Sequence, residues 1–280
     1  MKVLIDSSCG RTGDGIASSL FWIPDTEVII WLSQTKPLMD MFDETKPDIV
    51  MADWTKFSTP EMAIAAQIYP HTKLVALGDP ESDNGATGLQ PDLSISNYGV
   101  GGTPYIGFSG GAMIGHIGSP TPEEHLKTDL LCITDYILDL DKVMWAIDFL
   151  CENYNIKIFG TKRINIPHYL GQIDYTTKAA SLASTTVYVD LDGESWYDAA
   201  WLGKQCVSIS KECFNSFKDT KTLKNNVDKA LGVTPEKNSA EIKLIAKNKT
   251  YFEITNEILS FFNLTEQRNQ LTEKKRELIC

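Results

Sequence analysis

"HYLGQIDYTTKAASLASTTVYVDLDGESWYDAAWLGKQCVSIS", residues 168–210, decides the fold class. "YTTKAASLAS" has the composition of a helix, and the β-branched "TTVYVDLDG" that of a strand. "SWYDAAWLG" reads as a second helix closed by Gly203, followed by the strand "KQCVSIS". Helices alternating with strands at this spacing imply right-handed crossovers and a parallel sheet covered on both faces. One acid, Asp198, stands in the first turn of a helix that is otherwise apolar.

The same alternation runs outward in both directions. Upstream, "DLLCITD" (129–135) is a strand, "LDKVMWAIDFLCENY" (140–154) an amphipathic helix and "NIKIFG" (155–160) a strand ended by glycine. At the start of the chain, "KVLID" (2–6) precedes the loop "SSCGRTGDG" and the helix-like "IASSLFWI". "TEVIIWL" (26–32), "PDIVMAD" (47–53), "TKLVALGD" (72–79), "DLSIS" (92–96) and "TPYIGF" (103–108) continue as strands, with helices such as "PEMAIAAQIY" between them. The Gly- and Pro-rich "SGGAMIGHIGSPTPEEH" (109–125) separates two α/β patterns. The expected class is therefore α/β with two Rossmann-like domains, 1–122 and 123–280, facing each other across a cleft that takes the ligand. Helices are expected near 214–232 and over 239–262, with a charged one at "TEQRNQLTEKKREL".

At 280 residues, 42% apolar and 22% charged, the chain has ordinary globular composition for two cores. Six cysteines without a C-x-x-C pair signal neither a zinc site nor a disulfide framework, which fits a reducing cytoplasm. "MKVLIDSSCG" is too short an apolar run for a signal peptide, and no segment has the roughly 20 apolar residues a bilayer requires. A net charge of −11 argues against nonspecific attraction to polyphosphate, leaving Lys243, Lys247 and Lys249 or Lys274, Lys275 and Arg276 as local basic patches or solvated faces.

The blocks "IKIFGTKRIN", "YLGQIDYTTKAASLAS" and "WYDAAWLGKQCVSI", in that order, resemble the donor-binding domain of two-Rossmann (GT-B) glycosyltransferases. With "TKLVALGDPESD" they are similar to the DNA β-glucosyltransferases of T-even bacteriophages, over roughly a third of the chain. That resemblance implies transfer of a sugar from a nucleotide-diphosphate donor, most simply a UDP sugar, to a hydroxyl acceptor such as a hydroxymethylated base in DNA. It implies Asp79 as catalytic base and Asp198 as the carboxylate on the donor ribose, with Glu194 as its alternative. A carboxylate accepts from two vicinal hydroxyls at once, through charge-assisted bonds. The family's Arg-rich diphosphate loop is here "TDYILDLDK" (134–142), so Lys162, Arg163 and helix N-termini are the expected substitutes. Trp196 and Tyr169 are candidates to stack on the nucleobase. Asp14, Asp83 and His116 are placed on the acceptor side, Asp14 and Asp83 as alternative bases. No tightly bound cofactor is implied, and a host cytoplasm would be the location of a phage-encoded enzyme.

Other motifs open other chemistries. Asp79 in "DPESDNG" also reads as a turn former, and Asp198 as an ordinary helix-start acid. "DLD" at Asp190 and Asp192 matches the D-x-D that holds a divalent ion in single-domain glycosyltransferases, although the favoured reading does not require a metal. Gly107-Phe108-Ser109-Gly110-Gly111 matches the G-x-S-x-G nucleophile elbow, which with Asp148 and His168 gives the chain order of an α/β-hydrolase. None of the glycine-rich stretches reads G-x-G-x-x-G between a strand and a helix, so a nicotinamide site has little support. A non-enzymatic nucleotide- or ligand-binding module is the remaining alternative.

Overall fold

A computed structural model describes residues 1–33, 35–78, 89–96, 103–108, 110–161, 163–233, 239–247 and 249–279. The chain forms two compact units, residues 1–109 with 251–280, and residues 110–250.

The first unit alternates strand and helix as its β-branched runs require. Its elements are β1 (Lys2–Asp6), α1 (Gly10–Leu20), β2 (Glu27–Trp31), α2 (Leu38–Thr45), β3 (Ile49–Asp53), α3 (Trp54–Phe57), α4 (Pro60–Ile68), β4 (Lys73–Leu77), β5 (Leu93–Ser96) and β6 (Tyr105–Gly107). The strands make one parallel sheet in the order β2-β1-β3-β4-β5-β6. β1, β3 and β4 are central and their apolar runs are buried on both faces, as in parallel sheets generally. One core gathers Leu4, Val50, Ala76 and Phe42 with Trp31 and Met62. Thr59 caps α4 by accepting the Met62 N–H, and Pro60 sits at the first helical position, where its missing N–H costs nothing.

The second unit runs α5 (Ile114–Ile117), β7 (Thr128–Ile133), α6 (Met144–Asn153), β8 (Ile156–Phe159), α7 (Tyr175–Ser184), β9 (Thr185–Asp190), α8 (Trp196–Trp201), β10 (Gln205–Ser208), α9 (Thr220–Leu231) and α10 (Ser239–Lys247). Its parallel sheet has the order β10-β9-β7-β8. Leu130, Ile147, Ile158, Val187, Val207 and Leu223 share its core. Asp174 caps α7 through the Thr177 N–H, and Asp219 with Thr222 forms a reciprocal capping box at the start of α9. The chain then adds α11 (Tyr251–Phe261) and α12 (Thr265–Ile279) to the first unit.

The α/β class with two Rossmann-like parallel sheets is thus observed, and the long-range pairing departs from the local reading in three places. "SSCGRTGDG" is not a loop: Ser7–Cys9 is a 3-10 turn and α1 already begins at Gly10. α11 packs on α1, and a Cβ at Gly15 would lie 2.3 Å from the Tyr251 ring, so glycine here permits a helix contact instead of a turn. The helix expected over 239–262 is two, α10 and α11, because Thr250 leaves the helix to form a parallel bridge with Ala112. The units divide at 109/110 and again at 250/251, where the sequence reading set one boundary at 122/123. The return of α11 onto α1 accounts for the second division.

Candidate functional site

In an open parallel sheet, ligands collect at the carboxyl ends of the strands where the strand order reverses, because neighbouring loops diverge there. In the second unit the reversal lies between β7 and β9. The loops leaving them carry Thr134-Asp135-Tyr136 and Asp190 through Ser195.

Both loops are held internally. A Cβ on Gly160, at the end of β8, would lie 2.0 Å from Thr134 Oγ1, so only glycine lets the two loops meet. The Thr161 N–H donates to Asp135 Oδ1 at 3.0 Å, and the Tyr169 hydroxyl donates to the Gly160 carbonyl. Asp190 is fully buried. Its Oδ1 accepts the N–H groups of Asp192 (3.0 Å) and Gly193 (3.1 Å), and its Oδ2 the Ser208 hydroxyl. Burial, then the neighbouring Asp192 carboxylate, pushes the Asp190 carboxyl well above the usual range. Asp192 Oδ1 accepts the N–H groups of Glu194 and Ser195, each at 2.7 Å. The D-x-D pair therefore builds the turn that delivers α8. Among the described residues no group of three or more His, Cys, Asp or Glu side chains could hold a metal ion.

Against this turn lies a cluster from α5, α7 and α8, which pack on one another. The His116 ring stacks on Tyr175 with centroids 4.0 Å apart and planes 9° apart. Burial lowers its pKa to about 4, with Asp198 opposing the shift and Lys178 adding to it. Lys178 is only 5% exposed, with Nζ 5.0 Å from the centroid of the Tyr136 ring. Asp198 is 1% exposed, and its Oδ1 accepts the Met113 N–H at 2.9 Å. Glu194 is half-buried against Gly110, where the backbone has φ +112° and a Cβ would lie 3.1 Å from the Glu194 side chain.

The fold brings together Asp198, Glu194 and His116 of the residues singled out in the sequence. Tyr169 is half-buried beside the end of β8, and Arg163 is exposed on the loop after it. Trp196 requires a correction: it is 0% exposed and its ring stacks on Tyr197 at 4.0 Å, so it fills the core and presents no face to a nucleobase. Asp79, Asp83, Lys162 and Ser109 lie outside the described residues. Asp148 is exposed on α6, His168 Nδ1 lies 3.2 Å from the Ile156 carbonyl, and the segment after Gly110 forms only the four-residue α5. Sequence reading overlooked Lys178, Tyr175 and Tyr136. Their one local signal was a lysine set among the small residues of "KAASLAS".

The first unit reverses strand order between β1 and β3. Asp6 closes β1 and accepts the Ser8 N–H at 2.9 Å, and Lys56 Nζ lies 4.0 Å from its other oxygen. Asp53 closes β3 and accepts both the N–H and the hydroxyl of Thr55. Burial first, then the carboxylates of Asp6, Asp53 and Asp14, pushes the Cys9 thiol well above its usual range. Asp14 is half-buried on α1.

No family model matches the chain, and no curated protein matches it by sequence. Solved structures do match, over nearly their whole length. An α-glucosyltransferase in complex with UDP-glucose and DNA containing an abasic site has a TM-score of 0.60 at 9% identity, covering 93% of this chain and 99% of that one. Sucrose-phosphate synthase of Thermosynechococcus elongatus gives 0.56 at 9% identity, covering 95% and 99%. A Listeria monocytogenes protein described as a UDP-N-acetylglucosamine 2-epimerase gives 0.55 at 13% identity, covering 95% and 98%. At these identities the likeness shows the fold: two Rossmann-like units, the GT-B architecture.

Proposed function

We propose that this chain is a glycosyltransferase that takes a sugar from a uridine diphosphate donor and passes it to a hydroxyl acceptor. One observation carries the reading. At the β7/β9 reversal the Asp190 turn leads into half-buried Glu194 and buried Asp198, and a carboxylate near such a reversal is suited to accept from both hydroxyls of a ribose diol. Glu194 is reachable directly. Asp198 is buried, and its Oδ1 accepts the Met113 N–H.

The chemistry follows the simplest displacement. The acceptor oxygen attacks the anomeric carbon, its proton passes to a carboxylate, and the bond from the anomeric carbon to the diphosphate oxygen breaks, releasing UDP. Asp79 is the proposed base, with Asp14 and Asp83 as its alternatives; in sequence Asp79 follows the last residue of β4 by two positions. A hydroxymethylated DNA base is the proposed acceptor, supported by the earlier resemblance and by the DNA in one structural neighbour.

A thermal-shift series with UDP sugars tests the donor. A ligand at 100 times its dissociation constant adds about 2.7 kcal/mol of stability, which a melting curve resolves. UDP release is then followed with hydroxymethylcytosine DNA, saccharides and peptides as acceptors. A panel in which no nucleotide sugar stabilises the protein refutes the reading. Interconversion of the UDP sugar without acceptor or UDP release assigns epimerisation instead, the activity named for the Listeria neighbour.

A further inference from the structure

We propose that a cavity at the amino edge of the second sheet is a binding site for a phosphate monoester of a small polyhydroxylated molecule, the chemistry of a sugar or polyol phosphate. The cavity holds about 400 Å³ and is lined from the starts of all four strands: Asp129 in β7, Asn155 just before β8, Thr186 in β9, and Lys204 with Gln205 at β10. That volume falls within the roughly 300–1,000 Å³ of small-molecule sites. The inference is independent of the glycosyltransferase reading, whose residues in this unit follow the opposite, carboxyl ends of the same strands.

The walls are tied into the fold by their own hydroxyls. Thr128 Oγ1 donates to the Leu130 carbonyl at 3.0 Å and Thr185 Oγ1 to that of Val187 at 3.1 Å, while Ser184 donates to the Ala180 carbonyl and accepts the Glu123 N–H. Cations gather on this frame. The half-buried Lys204 ammonium gives one of its three N–H groups to the Ala183 carbonyl, which holds it at the cavity. α10 supplies a second: a Cβ on Gly203, which also lines the cavity, would lie 2.9 Å from Lys243 Cε, so the Lys243 stem crosses that glycine. Burial first, then the Lys243 charge, lowers the pKa of Lys204. Two ammonium groups that disfavour one another are both stabilised by a shared anion, and a phosphate monoester carries about −1.5 to −2 charges at neutral pH. In a chain of net charge −11 this is a local reversal of sign. Lys127, also in the lining, is ion-paired with Glu124. The rest of the lining includes the amides of Asn155 and Gln205 and the carboxylate of Asp129, groups that suit hydroxyls because a hydroxyl both donates and accepts. Among the described residues that line the cavity none is aromatic, so it offers no stacking platform for a nucleobase.

Titration calorimetry on the full chain with glucose 6-phosphate, glycerol 3-phosphate, inorganic phosphate and glucose tests this, each repeated with UDP in excess. Wild type should bind at least one of the two monoesters more tightly than either inorganic phosphate or glucose, with the same affinity when UDP is present. Lys204→Met and Lys243→Met should each weaken that binding roughly 10–100-fold, the scale of a charged hydrogen-bond partner. Lys243 is exposed on α10, so Lys243→Met keeps the test open if Lys204→Met does not fold by circular dichroism. Failure of both monoesters to bind overturns the assignment, as does binding of glucose or inorganic phosphate as tight as theirs. Displacement by UDP places the anion elsewhere and overturns it equally, and so does unchanged affinity in a folded Lys243→Met variant. Wild type that binds a monoester in this lysine-dependent way but no UDP refutes the donor reading and leaves this site standing.

Discussion

Replacing Gly15 with alanine separates local preference from tertiary packing by the sign of a single measurement. Gly15 lies inside α1, where alanine is favoured over glycine by about 1 kcal/mol, so helix propensity alone makes Gly15→Ala stabilising. Packing opposes it. The added methyl would lie 2.3, 2.4 and 2.5 Å from three Tyr251 ring carbons, and Tyr251 is itself 0% exposed, with no solvent into which to swing. Overpacking a close-packed core costs about 1–3 kcal/mol, and contacts this short put Gly15 at the upper end. Less the propensity gain, the net is a destabilisation of about 2 kcal/mol, a fall in Tm of roughly 4–8 °C. Thermal unfolding by circular dichroism at one protein concentration reads it. A Tm equal to or above wild type refutes the claim that α11 seats on α1 through this glycine, and with it the packing of 251–279 on the first unit.

The remaining predictions concern the site. Glu194→Ala should weaken UDP binding roughly 10–100-fold with little change in Tm, whereas Asp198→Ala should lower both, because it also removes the acceptor for the Met113 N–H; calorimetry and melting on the two variants check this, and identical behaviour of both counts against the division of roles. His116 titrates near 4 in the fold against about 6.5 unfolded, so its neutral form contributes stability that is complete above pH 6.5 and disappears as pH falls through 4. His116→Gln should therefore show a flatter Tm between those pH values than wild type, and parallel curves would rule the histidine out as the source. Asp79→Asn should keep donor affinity and lower transfer roughly 10²–10⁴-fold, the usual contribution of a positioned base, in a single-turnover assay; full activity would move the base to Asp14 or Asp83.

What the sequence determined by itself was whatever is encoded in neighbouring residues. β-Branched runs such as "IVMAD" and "TTVYVD" became buried parallel strands, and Thr59-Pro60, Asp174 and Asp219 started helices, because strand twist and capping are satisfied within a few residues. The acids at the second strand-order reversal were legible for the same reason, since a turn and the helix following it are local. Tertiary structure decided the rest. Gly15 has to be glycine inside α1 because Tyr251, distant in sequence, fills the space that a side chain would need. Trp196 became core instead of a stacking platform once β10 and its neighbours closed over it, and Lys178 acquired its place over Tyr136 only when α7 crossed to the β7 loop. Burial, and with it the lowered pKa of His116, depends on which elements meet. The order of strands in a sheet fixes those meetings, and hydrophobic periodicity along one element carries no record of that order.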